Sequence, residues 1–190
     1  MRAPDTLHFL CGWICDPLGV ATIAPSSRAL AEAITAEIGP ASSPVIELGA
    51  GTGVFTRALL DRGVPEDRLA IVEYAPYFVR LLRARFPAAR ILRINATRLK
   101  AADPFEGEPA GAVVSGLPLL SMKPWKVVAV LEGAFAHLRA GGAFYQFTYA
   151  PRCPVSRATL DRLGLEAVQI ARSLANVPPA SVYRIARKSA

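Results

Sequence analysis

Cysteine, histidine and charge are all scarce in this sequence, and each shortage narrows what the protein can be. The three cysteines, Cys11, Cys15 and Cys153, are an odd number, and the spacing of the first two fits neither a disulfide framework nor a C-x-x-C metal or redox pair. The two histidines, His8 and His137, are isolated. Charged residues make up 19% of the chain and apolar ones 52%, a balance that excludes disorder. We expect one packed domain of 190 residues with reduced thiols and no metal site.

Acidic residues are the minority among the charged ones. The sequence has 15 Asp and Glu against 22 Lys and Arg, which leaves a formal net charge of +7. This balance favours an anionic partner, and both nucleic acid and lipid headgroups fit it.

Long apolar runs are also missing. The most apolar stretch, residues 7–24, is interrupted by His8, Asp16 and Pro17, and its runs are too short to span the roughly 30 Å of a bilayer core. Little positive charge precedes it, so we expect it to belong to the mature protein and not to be a signal peptide or a membrane span.

The same stretch has the spacing of a short amphipathic helix that ends at Pro17. Its apolar stripe follows the i, i+3, i+4, i+7 pattern from Leu7, and Phe9 and Trp13 form an aromatic pair beside the stripe. Such a helix either packs on its own domain or lies in a lipid interface with both rings inserted. Its polar face is nearly bare of the Lys and Arg that interfacial helices usually carry.

Beyond residue 24 the periodicity alternates between helix and strand. After the turn at 25–27, an amphipathic helix runs to Ile38 and ends at Gly39-Pro40. The pattern then predicts strands at 44–48, 69–73, 89–94, 111–115 and 143–148, and helices at 54–62, 76–86 and 125–138. Strands separated by single helices form a parallel, doubly wound sheet.

The C-terminal part breaks this rhythm with two consecutive extended stretches, 165–173 and 181–187. A proline-containing turn joins them, so they predict an antiparallel pair that closes the sheet edge. No internal repeat or long linker is present. The predicted fold is α/β: a doubly wound, mostly parallel seven-stranded sheet with a C-terminal antiparallel pair and an N-terminal amphipathic helix.

A glycine cluster, Gly49, Gly51 and Gly53, lies between the first predicted strand and the next helix, where an open α/β sheet binds ligands. Glu73 ends the following strand, twenty residues after Gly53, where a carboxylate can accept hydrogen bonds from ribose hydroxyls. Together these signals predict a nucleoside-type cofactor. The G-x-G-x-G spacing departs from the dinucleotide pattern, and Glu47 would repel a pyrophosphate but attract an ammonium or a sulfonium.

This loop resembles motif I of class I S-adenosylmethionine-dependent methyltransferases. The resemblance implies S-adenosylmethionine as the cofactor and S-adenosylhomocysteine as the product. Glu47 and the glycine loop would hold the methionine part, and Glu73 the ribose. Asn95 and Ala96 would hold the adenine; Asp is commoner than Asn at that position, but Asn95 can still accept a hydrogen bond from the adenine amino group. Further cofactor contacts are expected from three residues: Ser26, Ala50 and Ser115.

The segment 113–120 follows the fourth predicted strand, where methyltransferases of this fold place the residues that face the acceptor. Relatives that methylate nucleic-acid bases carry an Asp/Asn-Pro-Pro-Tyr or Asn-Leu-Pro-Tyr type sequence there, whose ring holds the flipped base. This chain has Ser-Gly-Leu-Pro-Leu-Leu, so leucines replace the ring and an aliphatic substrate is predicted. Substrate contacts are expected from Gly116, Leu117, Pro118 and Leu119.

Five segments together resemble the bacterial phospholipid N-methyltransferase family: PSSR, ELGAGTGVFTRALL, VVSGLPLLSM, FYQFTYAP and NVPPASVYR. The resemblance implies methylation of phosphatidylethanolamine, through its mono- and dimethyl forms, to phosphatidylcholine at the cytoplasmic face of the cell membrane. It divides the chain into a membrane-interacting helical segment, 1–24, in which Trp13 and Phe9 contact lipid, and a methyltransferase domain, 25–190.

Docking of such an enzyme would involve anionic lipids. The basic residues that could replace the missing charge of the N-terminal helix are Arg80, Arg83, Arg85, Lys123 and Lys126. Neither nucleic acid nor a protein partner is expected.

Methyl transfer from a sulfonium depends mainly on positioning, and the acceptor amine must lose a proton before it attacks. Tyr149, just past the fifth predicted strand, is the candidate that orients the amine, with Tyr145 and Gln146 beside it. Because side chains alternate along a strand, only some of these three can face the site.

Three other functions fit the same sequence. An ornithine lipid presents nearly the same amine and acyl chains as phosphatidylethanolamine. An adenine N-methyltransferase of ribosomal RNA would suit the charge of +7, although the leucines after Pro118 disfavour it. A membrane-associated protein could also bind the cofactor without transferring a methyl group.

Overall fold

The computed structural model describes residues 25–173 and 179–188, which form helices on both sides of a seven-stranded sheet. The α-helices in this part of the chain are α1 (Pro25–Ile34), α2 (Val54–Asp61), α3 (Pro76–Arg85), α4 (Pro124–His137) and α5 (Arg157–Arg162). The strands are β1 (Val45–Leu48), β2 (Leu69–Val72), β3 (Arg90–Leu92), β4 (Ala110–Ser115), β5 (Leu138–Thr148), β6 (Leu165–Ser173) and β7 (Ala180–Arg187).

The strand order across the sheet is β3-β2-β1-β4-β5-β7-β6. The first five strands are parallel, with β1 paired to both β2 and β4, whereas β7 is antiparallel to β5 and to β6. This arrangement confirms the predicted doubly wound sheet and its C-terminal antiparallel pair. The strand order reverses between β1 and β4, which is the place where open α/β sheets bind ligands.

The central strands are apolar because helices cover both faces of the sheet. All four residues of β1 and all four of β2 are buried. Helices α3 and α4 each begin with a proline, whose missing N–H costs nothing at a first helical position. These helix starts lie at the carboxyl edge of the sheet, the same edge as the glycine loop.

Several element boundaries differ from those predicted. Helix α5 was not predicted; its six residues are too few for a periodic signal, and the Ser156 hydroxyl caps it by accepting a hydrogen bond from the Thr159 N–H at 3.2 Å. Strand β5 begins at Leu138, directly after α4, and not at Ala143. Helix α1 ends at Ile34, four residues before the predicted end.

The predicted N-terminal helix, with Phe9 and Trp13, lies outside the described residues. The side chain of Ser26, a predicted cofactor contact, lies outside them as well. Among the helices that are described, none is both long enough and apolar enough to cross a membrane.

Candidate functional site

An open cavity of about 670 Å³ lies at the carboxyl edge of the sheet, beside the glycine loop. Its polar and backbone lining comes from the loop at 49–52 and from Gly116, which follows β4. Its apolar lining comes from Leu30, Val54, Phe55, Phe147 and Tyr149.

A second cavity of about 450 Å³ shares Gly49 with the first. Glu73, Asn95 and Ala96 line it, together with Tyr74, Leu117 and Met122. Leu117 packs closely on Gly49: a Cβ at that glycine would lie 2.8 Å from the leucine Cδ2. Six of the predicted cofactor residues thus line two cavities that meet at one glycine: Gly49, Ala50, Gly51, Glu73, Asn95 and Ala96.

Gly51 leaves open space where another residue would project a side chain. Its backbone is left-handed, with φ +54°, and a Cβ built on it would meet no atom within 4 Å although the residue is buried. The loop therefore leaves room for a ligand against its backbone.

Gly53 serves a different purpose from the one predicted. It lines neither cavity; a Cβ there would lie 2.5 Å from Cε2 of Phe86. Close packing of the start of α2 against Phe86 therefore requires this glycine.

Glu47 is buried beneath the glycine loop, with 1% of its surface exposed. The Thr56 hydroxyl donates a hydrogen bond to its Oε2 at 2.6 Å, which ties β1 to the first turn of α2. Burial raises the pKa of Glu47 to about 7, with a smaller contribution from Glu73, although the hydrogen bonds from Thr56 oppose the rise. The carboxylate lines neither cavity, so its charge acts on a ligand from below the loop.

Glu73 connects three backbone segments at the end of β2. Its Oε2 accepts a hydrogen bond from the Gly51 N–H at 3.0 Å, and its Oε1 accepts from the N–H groups of Tyr74 and Ala75 at 2.7 and 2.8 Å. The carboxylate therefore fixes the glycine loop while lining the second cavity. This position is consistent with the predicted ribose contact.

Asn95 is placed as predicted, but its side-chain oxygen is already used. Oδ1 accepts hydrogen bonds from the N–H and the hydroxyl of Thr97, at 3.0 and 2.9 Å, and so caps the 3-10 helix Ala96–Ala101. An amide oxygen has two lone pairs, and both are engaged. The cap therefore engages this oxygen in the structure, and the expected acceptance from an adenine amino group stays a prediction.

The segment after β4 separates into residues that face the cavities and residues that do not. Gly116 lines the first cavity and Leu117 the second. Ser115 is buried, and its Oγ accepts a weak hydrogen bond from the Leu117 N–H at 3.3 Å. Leu119 is 2% exposed and packs in the core on the α4 face of the sheet, so the predicted substrate contact is not formed there. Pro118 is exposed and lines neither cavity.

Of the three predicted catalytic residues, the structure brings Tyr149 alone to the cavity wall. Its ring meets Phe147 edge to face, with the centroids 5.6 Å apart. Gln146 is buried, and its Nε2 donates to the carbonyls of Leu117 and Phe147 at 3.0 and 2.8 Å. It is a positioning residue that joins the β4 loop to β5.

Tyr145 lines neither cavity, so the structure does not bring this predicted catalytic residue into the site. Its hydroxyl donates a hydrogen bond to the Glu37 carboxylate at 3.2 Å. Burial, together with that carboxylate, raises the pKa of Tyr145 to about 12. Tyr145 shares a face of the sheet with Phe147 and Tyr149, but it lies four residues before Tyr149 along the chain, farther from the carboxyl edge where the cavity opens.

Several residues of the site were missed in the sequence. Leu30 reaches the cavity through the packing of α1, and no local pattern indicates this. Thr56 lies in the first turn of a predicted helix, where a hydroxyl beside a buried acid is a detectable signal. Phe55 forms an edge-to-face pair with Phe147, with 5.9 Å between centroids, and this pair joins α2 to β5.

A glycine loop after β1, an acidic residue ending β2 and two cavities at the switch point define a methyltransferase of the Rossmann-like class. A family model described as "Methyltransferase domain" matches residues 45–142, from β1 into β5. The chain belongs to this family. It is also 31% identical over 184 residues to the ornithine lipid N-methyltransferase of Singulisphaera acidiphila, with 94% of each chain covered.

Solved structures show the same fold. The glycopeptide N-methyltransferase MtfA, crystallised with S-adenosylmethionine, matches with a TM-score of 0.63 and 15% identity over 90% of this chain and 99% of that one. A 1,6-didemethyltoxoflavin-N1-methyltransferase from Burkholderia thailandensis matches with a TM-score of 0.67 and 17% identity, over 100% of this chain and 92% of that one.

The residues of the site fit S-adenosylmethionine, which is the cofactor of this protein. The open space at Gly51 and the buried carboxylate of Glu47 suit a methionine part with a positive charge. Glu73, Asn95 and Ala96, the residues predicted to hold the ribose and the adenine, line the second cavity together.

Replacing Asn95 by aspartate is expected to tighten S-adenosylmethionine binding about fivefold. The carboxylate keeps one oxygen for the cap on Thr97 and presents the other to the adenine amino group, a gain of about 1 kcal/mol for one hydrogen bond. Isothermal titration measures the affinity. Asn95→Ala is the matched control, since it removes the cap and offers no acceptor to the adenine. An affinity of N95D equal to or below that of wild type would contradict the assignment.

Proposed function

We propose that the protein transfers methyl groups from S-adenosylmethionine to the primary amine of a membrane amino lipid. The observation that carries this proposal is the chemistry of the first cavity, where apolar side chains and one phenol, Tyr149, surround the space beside the glycine loop. Such a lining suits an amine on an aliphatic molecule. Base-methylating relatives have a stacking ring after β4, and this chain has leucines there.

Two amino lipids have separate support. Similarity to an ornithine lipid N-methyltransferase extends over 94% of both chains, and this favours ornithine lipid. The five sequence segments that resemble phospholipid N-methyltransferases favour phosphatidylethanolamine and its methylated forms, toward phosphatidylcholine. We place ornithine lipid first because that similarity covers 94% of the chain, whereas the segments are short.

The residues of the chain hold the cavity walls in place and so position the two reactants. Bound S-adenosylmethionine supplies an electrophilic methyl group on its sulfonium. Gln146 fixes the Leu117 carbonyl, and Glu73 fixes the Gly51 N–H, so the walls on both sides of Gly49 are rigid. Holding two reactants in line is the main source of rate enhancement for such a displacement.

Tyr149 orients the acceptor amine in this proposal. An ammonium has no lone pair, so the amine must be neutral when it attacks. The phenol oxygen of Tyr149 at the cavity wall accepts a hydrogen bond from one N–H group of this amine. The edge-to-face contact with Phe147 fixes the direction of the ring.

Replacing Tyr149 by phenylalanine is expected to lower kcat by about 100-fold while leaving the affinity for S-adenosylmethionine within about twofold. The ring and its contact with Phe147 remain, and the hydroxyl alone is lost. Tyr183→Phe is the matched control, because that hydroxyl donates to Gln169 and lines neither cavity. An undiminished kcat would remove Tyr149 from the mechanism.

The N-terminal segment completes the proposal. We assign residues 1–24 as a helical docking element at the cytoplasmic membrane surface, with Phe9 and Trp13 in the lipid interface. The support is the sequence pattern of this segment alone.

The proposal can be tested in cells. The protein is produced in a bacterium that makes both ornithine lipid and phosphatidylethanolamine but no methylated lipid. Mass spectrometry of the lipid extract is expected to show N-methylated ornithine lipid, and cells that produce the Y149F variant should accumulate far less of it. Methylated phosphatidylethanolamine alone would change the substrate within the proposed class. An unchanged lipid profile, with folded protein present, would contradict the proposal.

A further inference from the structure

Exposed apolar side chains are concentrated at one edge of the sheet. Within the described ranges, the large apolar side chains with substantial exposure are Tyr74, Tyr77, Leu120, Trp125 and Val168. Tyr74 and Tyr77 follow β2, and Leu120 and Trp125 follow β4, which is parallel to β2 through β1. Four of the five therefore lie at the carboxyl edge, where the cavities open; Val168 lies on the distant edge strand β6.

The second cavity opens at the same edge and shares the chain segments that carry these side chains. Tyr74 lines that cavity from the β2 side, and Met122 lines it from the segment that carries Leu120 and Trp125. We use the term apolar rim for Tyr74, Leu120 and Trp125. Trp125 is 61% exposed in the first turn of α4, although burying an indole in an apolar environment is strongly favourable.

Basic side chains flank the apolar rim. Lys126 places its Nζ 5.5 Å from the centre of the Trp125 ring, and Lys123 is exposed immediately before α4. Arg98 is exposed on the 3-10 helix that follows Asn95. None of these three cations forms an ion pair with any residue in the described part of the chain.

We propose that the apolar rim and its flanking cations form a docking surface for an anionic lipid bilayer, with the cavity mouth turned toward the headgroups. Aromatic rings prefer to lie at the level of the lipid headgroups, and lysines beside them reach the anionic surface of the bilayer. Leu120 favours a membrane over RNA, because an exposed leucine gains little from a phosphate backbone. This inference deepens the lipid methylation proposed above and rests on it: a headgroup then reaches the site while its acyl chains stay in the bilayer.

Trp125 can report on its own insertion. The chain has two tryptophans, so Trp13→Phe leaves Trp125 as the single tryptophan in the full-length protein, and excitation at the red edge of the indole band avoids the tyrosines. With vesicles of phosphatidylcholine and phosphatidylglycerol, we expect a blue shift of its emission and strong quenching by lipids brominated on their acyl chains. The control is Val168→Trp in the W13F/W125F background, which should keep a solvent-like emission.

Substitutions measure the contribution of the surface to binding. Leu120→Ser with Trp125→Ser is expected to weaken vesicle partitioning at least about tenfold, and Lys123→Glu with Lys126→Glu by a similar factor that shrinks at high salt. The matched controls are Val168→Ser and Arg157→Glu with Arg162→Glu, which change exposed positions on β6 and α5.

Three results would overturn the inference. They are unquenched Trp125 emission while the protein sediments with the vesicles, no vesicle binding at all, and an emission change with single-stranded RNA in place of vesicles. Methyl transfer to lipid dispersed in detergent micelles is measured in parallel. If micellar lipid is labelled but Trp125 is not quenched, the docking surface is contradicted and the proposed function is not. If Trp125 is quenched but no lipid is labelled, the proposed function is contradicted and the docking surface is not.

Discussion

Replacing Glu47 by glutamine is expected to stabilise the ligand-free protein by about 3 kcal/mol at pH 8.5 and by less than about 0.5 kcal/mol at pH 4.5. The folded-state pKa of Glu47 is about 7, against 4.5 for an unperturbed glutamate, because the carboxyl group is buried. Between these values the native state keeps a proton that the unfolded chain has lost. Wild-type stability therefore falls as the pH rises through this window, and a neutral amide that can still accept from Thr56 avoids the loss.

Urea unfolding of both proteins across this pH range measures the effect. Glu132→Gln on α4 is the matched control, because Glu132 is exposed and the same change there should alter stability by less than about 0.5 kcal/mol. If E47Q and wild type have the same stability at pH 8.5, Glu47 is not held as a buried acid of raised pKa.

The same substitution should remove a pH dependence of cofactor binding. Ionised Glu47 attracts the positive charges of S-adenosylmethionine, so wild-type affinity is expected to rise about tenfold from pH 6 to pH 8 as the group loses its proton. The affinity of E47Q for S-adenosylmethionine should not change with pH and should be close to the wild-type affinity at pH 6. A parallel rise in both proteins would assign the dependence to another group.

Replacing Gly51 by alanine is expected to reduce S-adenosylmethionine affinity at least about 100-fold with a loss of only about 1–2 kcal/mol in stability. The methyl group meets no protein atom within 4 Å, so the folding cost comes from the left-handed backbone alone. The added carbon occupies the space beside the loop, which we propose holds the cofactor.

Gly107 provides a matched control for this substitution. It also has a left-handed backbone, with φ +84°, and a Cβ there likewise meets nothing within 4 Å, but it lies in the loop before β4, at the opposite edge of the sheet. Gly107→Ala should cost similar stability and leave cofactor affinity unchanged. Equal affinities of G51A and G107A would place the cofactor elsewhere.

The strand order and the place of the site were predictable because they depend on local signals. Apolar runs of strand length, separated by helical periods, specify a doubly wound sheet, and the glycine loop lies at its switch point. Glu73 was identifiable from its distance to Gly53. The cap formed by Asn95 and Thr97 is also local, since a side chain that bonds the backbone two residues on is a common turn device.

Other parts of the site depend on contacts between residues distant in sequence. The Tyr145 hydroxyl bonds to Glu37, 108 residues away, and no local pattern distinguishes this ring from that of Tyr149. The neighbouring leucines after β4 are sorted by the 3-10 turn Leu119–Ser121, which buries Leu119 and exposes Leu120. Gly53 is fixed by Phe86, a packing partner from another helix end.

Incubation of the purified protein with methyl-labelled S-adenosylmethionine and defined acceptors tests the central claim most directly. Vesicles of ornithine lipid with anionic lipid, vesicles of phosphatidylethanolamine with anionic lipid, and ribosomal RNA are offered separately, and every labelled product is identified. We predict label on the headgroup amine of ornithine lipid, with phosphatidylethanolamine as the second acceptor. Label in RNA alone, or no label in either lipid while the cofactor binds, would contradict the account.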